Sequence, residues 1–386
     1  MRGAFMVGIS RYLEQTLRQE LAHKIVLLTG PRQCGKTTLA RRIMPNYDYL
    51  NYDLAEHRLQ LLEKSWDRRR PMVIFDELHK MSDWKRWLKG VYDVEGIPPA
   101  LLVTGSARLS AFRKTGDSLA GRYFEFRLHP LDMREATEVT ELSSREIFDR
   151  LMSVGGFPEP FLKGSQSYYN RWKRSHVDVI LSEDLLTLTA IRDIQSIETL
   201  IEMLRSRVGG GVSVNSLAQD LQKSPATIQK WLKLLEDLYV IFRVGPYHRN
   251  VARAILKEPK YYFYDNGMVQ GDQGVKLENL VACGLLKEIH RAVDVCGEEL
   301  SLHYIRNKDN QEIDFMVMRG HDPEWLIEVK WRDSVLSSNF RKILAESELQ
   351  RVQVVGELRQ SKSYPTGERV QPAMAFLTHL DFSKAP

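Results

Sequence analysis

Three apolar runs near the start of the chain, residues 25–28, 72–75 and 100–103, carry no polar side chain until they end. Runs so short and so uniformly apolar predict strands buried on both faces of a parallel sheet, because a strand with one wet face alternates instead. Residues 123–128 do alternate and predict a further strand. Helical stretches separate these runs, so residues 1–135 read as a parallel sheet covered by helices on both faces. Between 136 and 205 the strands disappear, and residues 146–154 and 167–189 read as the clearest helices of a lid or linker. Residues 206–258 change character again. A helix capped by Ser213 or Asn215 runs to Leu221, SPAT makes a turn, and a second helix over 226–238 sets Ile228, Trp231, Leu232, Leu235 and Leu238 on one face. A short strand over 240–244 then starts a wing. The last segment, 259–386, combines a helix over 277–290 with strands over 313–318 and 325–330, and its tail closes with a strand near 373–377.

The first buried run opens into GPRQCGKTT, residues 30–38, after which the chain continues as helix. Strand, glycine-rich turn and helix in this order are what a triphosphate pocket requires. The backbone of Gly30, Pro31, Arg32, Gln33, Cys34 and Gly35 would form a concave nest for phosphate oxygens. The helix entered through Lys36, Thr37 and Thr38 adds a partial positive charge. Lys36 would reach the β and γ phosphates, and the Thr37 hydroxyl would join the shell of a Mg2+ ion. The second buried run ends in Asp76 and Glu77. Asp76 would hold that Mg2+ through water, and Glu77 would orient and deprotonate the attacking water. The third run ends in Thr104, Gly105 and Ser106, which puts a small hydroxyl at a strand's carboxyl end. Ser106 is the candidate sensor of the γ phosphate and Thr104 the second choice. Arg122, after Gly121, could project into a neighbouring subunit's nucleotide, or could pair with a local acid at the surface.

These motifs, taken with YLNYDL (49–54), VIFDELHKMSDW, LLVTGS and LAGRYFEFRLHPL, resemble the bacterial and archaeal AAA-type ATPases that carry a C-terminal domain of unknown function, DUF4143. The resemblance continues through GGFPEP (155–160), PKYYFYDNGM (259–268), LENLVACGLL (277–286), QEIDFMV and IEVKW, and so covers residues 12–331. It implies ATP rather than GTP as the nucleotide, since the loop itself reads only phosphates. Cys34 stands where the family often has an aliphatic residue, which would make the pocket sensitive to thiol reagents.

Downstream, the paired helices resemble a winged helix, whose second helix could enter a DNA major groove with Gln229, Lys230 and Lys233, or could serve as a protein interaction module. In the last segment Glu328 and Lys330 share one face of a strand, and a hairpin would bring Asp314 opposite Glu328. Two acids and a lysine are what a metal-dependent phosphodiesterase uses, the acids binding a second Mg2+ or Mn2+. The arrangement resembles the PD-(D/E)xK nucleases, and Glu278 matches the additional acid that some of them carry on their first helix. The same scaffold could merely grip nucleic acid or protein.

The whole chain is therefore expected to be α/β: a P-loop NTPase sheet (1–135), a helical lid (136–205), a winged helix (206–258) and a restriction-endonuclease-like α/β domain (259–386). Its 386 residues, 43% hydrophobic and 27% charged, suit several cores. The three cysteines form no CxxC pair, which argues against a zinc ribbon or disulfide framework and for a reducing compartment, and no apolar run is long enough to span a bilayer. Cytoplasmic placement is the expectation. A net charge of +5 permits nucleic-acid binding without requiring it. The function expected is a Mg2+-dependent ATPase that assembles as a homo-oligomer, with Arg122 acting in trans, and couples nucleotide state to DNA. The alternatives are an ATP-switched regulator or remodeller acting on protein, and an ATP-gated nuclease.

Overall fold

A computed structural model of the chain describes residues 9–105, 119–185, 193–247, 258–307, 311–332, 335–343 and 349–383. Two compact units emerge, residues 1–130 with 237–239, and residues 131–236 with 240–386. Apart from 237–239, the segments read as lid, winged helix and nuclease-like domain fall in the second unit.

The first unit is built on five parallel strands, β1 (Ile25–Thr29), β2 (Tyr47–Asn51), β3 (Met72–Asp76), β4 (Ala100–Thr104) and β5 (Tyr123–Arg127), in the order β2-β3-β4-β1-β5. β1, β3 and β4 are buried along their whole length, as central strands of a parallel sheet must be. Side chains alternate between two layers. Ile25, Leu27, Val73, Phe75, Leu101 and Val103 pack with Leu88 and Val91 of the helix Trp84–Glu95. Trp84 of that helix is buried in the same cluster, and Trp87 meets Trp66 and Phe75 edge to face, so the two tryptophans pack the helix onto the sheet. Because β2 and β5 are the edges, the sequence order reverses beside β1, and the carboxyl ends of β1, β3 and β4 form a shared rim.

The second unit holds a mixed eight-stranded sheet. Its strands are β6 (Ile241–Pro246), β7 (Lys260–Phe263), β8 (Leu300–Arg306), β9 (Glu312–Arg319), β10 (Asp322–Lys330), β11 (Gln350–Val355), β12 (Lys362–Ser363) and β13 (Arg369–Pro372), in the order β12-β13-β11-β10-β9-β8-β6-β7. β6, expected to open a separate wing, pairs in parallel with β8 and so belongs to this sheet. The helix Gln273–Cys296 packs across β7, β8 and β10. Residues expected to form a closing strand are instead the helix Ala373–Thr378. It buries Ala373, Phe376 and Leu377, the spacing of one helical face.

Two motifs distant in sequence meet in this unit. A Cβ on Gly155 would lie 2.1 Å from Asp265 Oδ1, and one on Gly156 would lie 2.1 Å from the Leu131 carbonyl, so only glycine fits either place. Asp265 accepts from the Tyr169 hydroxyl at 2.8 Å and from the Gly267 amide at 3.1 Å. The GGFPEP and YDNGM segments are therefore one buried packing unit.

Candidate functional site: a phosphate-type cradle

The loop after β1 has the backbone that a tight cradle requires. Gly30 (φ 139°) runs so close to β5's exit that a Cβ there would sit 2.2 Å from the Leu128 carbonyl, and Gly35 (φ 99°) begins the helix Lys36–Ile43 in the left-handed region. Gln33 also takes positive φ (60°), a conformation that side chains adopt only when their surroundings hold them. Arg11 braces the loop at the next residue: its guanidinium donates to the Cys34 carbonyl at 2.7 Å and the His129 carbonyl at 2.6 Å. Nothing near Arg11 in sequence signals this brace, since one of its partners is 118 residues away.

Cys34 is fully buried, and its thiol donates to the Leu128 carbonyl at 3.4 Å. The expected sensitivity to thiol reagents is thereby corrected: the sulfur faces the protein interior, where a reagent cannot reach it.

Lys36 is buried, and its Nζ lies 3.0 Å from the Gly30 carbonyl and 2.6 Å from the Pro31 carbonyl. Both of these partners are neutral, so neither pairs with the ammonium's charge, which Glu77 feels at a distance and an anion in the cradle could meet. Thr37 donates to Asp76 Oδ2 at 3.1 Å, Tyr49 donates to the same oxygen at 2.6 Å, and Thr104 donates to Asp76 Oδ1. Three hydroxyls fix the Asp76 carboxylate without neutralising it. Tyr49, which the sequence reading did not single out, is pushed up to about 12 by burial and by Asp76, so it stays a donor at neutral pH. Its position on β2 opposite Ile74 could have suggested it, because alternate residues of β2 and β3 share a face.

Glu77 follows Asp76 in the left-handed region (φ 56°), with its amide bonded to the Thr104 carbonyl at 3.0 Å. Its Oε2 is buried without a hydrogen bond and lies 3.5 Å from both His79 Nε2 and Lys80 Nζ. Burial raises its proton affinity above that of an ordinary glutamate, and Lys80 offsets part of the rise. A strained, desolvated carboxylate at the rim has the properties of a base awaiting a proton donor.

Thr104 is occupied with Asp76, and Ser106 lies outside the described residues. Arg122 makes a two-pronged pair with Asp93, Nε to Oδ1 at 2.6 Å and NH2 to Oδ2 at 3.2 Å. It precedes Tyr123, which is paired with Ile25 at the amino end of β1, whereas the cradle follows Thr29 at the carboxyl end. A five-residue strand separates these ends by roughly 16 Å. Arg122 therefore cannot touch the cradle of its own chain.

The structure brings the four C-terminal candidates together but does not fit them to a metal. Lys260, which the sequence reading left out, enters the cluster with only 2% of its surface exposed. Its Nζ lies 2.6 Å from Glu312 Oε1, 3.4 Å from Glu278 Oε1 and 3.9 Å from Asp314 Oδ1. Tyr262 donates to Glu278 Oε1 at 2.7 Å, the Val329 amide to Asp314 Oδ2 at 2.8 Å, and Lys330 pairs with Glu328 at 2.9 Å. Among the described residues no group of three ligating side chains stands ready for a metal ion. Nothing here supports the expected second Mg2+ or Mn2+, and an ammonium already stands among these acids.

A parallel sheet of order β2-β3-β4-β1-β5, with a glycine-rich loop after β1 and acids after β3, defines the P-loop NTPase class. Residues 22–137 match the model of the AAA domain, and residues 273–375 match a domain of unknown function, DUF4143. The chain thus carries an AAA-type ATPase domain with a C-terminal DUF4143 domain, the family its motifs resemble. Residues 145–276, between them, match another domain of unknown function, DUF8612.

Among curated relatives, an uncharacterised protein of Mycobacterium tuberculosis is 25% identical over 86% of this chain and 76% of its own length. An uncharacterised protein of Haemophilus influenzae is 23% identical over 82% of this chain and 85% of its own. Among solved structures, a point variant of RuvB from Thermotoga maritima aligns at 19% identity over 60% of this chain and 87% of that one, with a TM-score of 0.33. A signal-transduction ATPase with numerous domains from Pyrococcus horikoshii aligns at 14% identity over 77% and 50%, with a TM-score of 0.24. No described helix is long and apolar enough to cross a membrane.

Proposed function

We propose that the protein is a Mg2+-dependent ATP hydrolase that works as a homo-oligomer and couples its nucleotide state to a DNA partner. The observation that carries the hydrolase reading is the meeting of Lys36, Thr37 and Asp76: a buried ammonium on neutral carbonyls, beside a carboxylate fixed by hydroxyls. Glycines that admit no Cβ and an un-neutralised Asp76 suit a triphosphate with its Mg2+. Bound there, the ion would neutralise charge that builds on the phosphates. Thr37 and Asp76 would hold it, directly and through water. Lys36 would turn from the carbonyls to phosphate oxygens, and Glu77 Oε2 would accept a proton from the attacking water. Lys36→Ala is expected to lower ATP turnover at least about a hundredfold. Normal turnover in that variant would refute the site.

Action in trans would require Arg122 to leave Asp93, the local acid with which it pairs here, and reach a neighbour's cradle. Mixing Arg122→Ala with Lys36→Ala chains should restore part of the turnover that each lacks alone, and no recovery would count against action in trans. For DNA, the support is the helix Pro225–Asp237, which exposes Gln229, Lys230 and Lys233 beside a buried face of Ile228, Trp231 and Leu235. Turnover stimulated by duplex DNA and lost steeply with added salt would fit this reading. Its absence in an assembled sample would favour a regulator or remodeller of protein.

A further inference from the structure

The DUF4143 segment has all four side chains of a metal-dependent phosphodiesterase, and Lys260, from the DUF8612 segment before it, brings in a second lysine that such a centre should not have. We propose that Lys260 is the resident cation of this cluster, standing where a divalent ion would have to sit, so that the segment holds no catalytic metal and cuts no phosphodiester. This stands independently of the ATPase reading.

Lysine is rarely enclosed, because desolvating an ammonium is unfavourable unless carboxylates surround it. Lys260 is enclosed on β7 and points at oxygens from two other elements: Glu278 on the helix Gln273–Cys296, and Glu312 and Asp314 on β9. Its Nζ also lies 5.4 Å from the centre of the Tyr304 ring. Three carboxylates around one amine favour its charged form, so the ammonium belongs to the cluster.

A divalent ion needs several oxygens that converge on it with their lone pairs free. Here Glu278 Oε1 is shared by Tyr262 and Lys260, one Asp314 oxygen is taken by the Val329 amide, and the other faces Lys260. Lys330, the lysine of the expected phosphodiesterase set, is turned onto Glu328. Glu328 Oε2 is buried without a hydrogen bond.

The test is a gain of function. Mn2+ is titrated into the nucleotide-free full-length protein, and both Mn2+ uptake and thermal stability are followed. Wild type should show no uptake that Asp314→Asn removes. Lys260→Met should bind about one Mn2+ per chain at least roughly tenfold more tightly than wild type, and its Tm should rise with Mn2+ as a ligand-stabilised fold does. Adding Asp314→Asn to Lys260→Met should abolish both effects. Mn2+ binding by wild type that depends on Asp314 would overturn the proposal, as would a folded Lys260→Met that takes up no metal. Should Lys260→Met not fold, wild type decides with single- and double-stranded DNA and Mg2+ or Mn2+: intact DNA is expected, and cleavage that Asp314→Asn abolishes would overturn the proposal.

Discussion

The cradle and the C-terminal cluster each combine a buried lysine with acids at strand ends, yet the two lysines are held by opposite means. Lys36 rests on two neutral carbonyls, and Asp76 beside it is held by hydroxyls, so neither charge is cancelled by its partners. Lys260 rests on carboxylates, and its charge is consumed inside the cluster. A lysine on carbonyls can be drawn away by a phosphate that offers full negative charge. One enclosed by carboxylates cannot leave without stranding buried anions. The same residue types therefore make a ligand site in one place and a structural lock in the other.

That contrast is tested most severely by separating function from stability. Lys36→Met should lose hydrolysis at least about a hundredfold while the fold loses only roughly 1 kcal/mol, the scale of ordinary hydrogen bonds to neutral partners. Lys260→Met should do the reverse, keeping ATP turnover per folded chain but losing about 3–5 kcal/mol of stability, as measured by denaturant unfolding. Equal stability losses in the two variants would end the distinction. Within the cradle, Glu77→Gln should lower turnover about a hundredfold and leave nucleotide binding intact, because it removes a proton acceptor and no phosphate contact. Weakened binding together with normal turnover would contradict that role.

A smaller effect concerns a buried acid in neither site. Burial pushes Asp265 up to about 7, partly offset by its bonds from Tyr169 and Gly267. The folded state thus holds a proton that the unfolded state releases near pH 4. The stability it contributes is full below about 4 and fades as pH rises toward 7. Asp265→Asn keeps the shape without the titration. The Tm of the variant relative to wild type should therefore rise across that interval, and a difference independent of pH would remove Asp265 as its source.

Much of this was legible in the sequence because the signals are local. Buried strands of the first sheet announce themselves by uninterrupted apolar runs, and the loop from Gly30 to Thr38 is one contiguous string. The Asp314 and Glu328 pairing was also legible, since a hairpin fixes which residues oppose. Arg11, Tyr49 and Lys260 were not, because each acts on partners brought near only by the fold. Lys260 sits 18 residues from Glu278 and farther still from Asp314, in a segment legible only as a motif of the family resemblance. Residues 373–377 misled for another reason. A short apolar run is compatible with either a strand or one face of a helix, and packing of Phe376 and Leu377 decided for the helix.

The most direct test of the account is calorimetric titration of a slowly hydrolysed ATP analogue into the full-length protein, with and without Mg2+. Binding of about one nucleotide per chain is expected, tightened by Mg2+ in wild type and indifferent to it in Asp76→Asn. No heat of binding in wild type, or an equal Mg2+ effect in both proteins, would contradict the claim that Lys36, Thr37 and Asp76 form a triphosphate site.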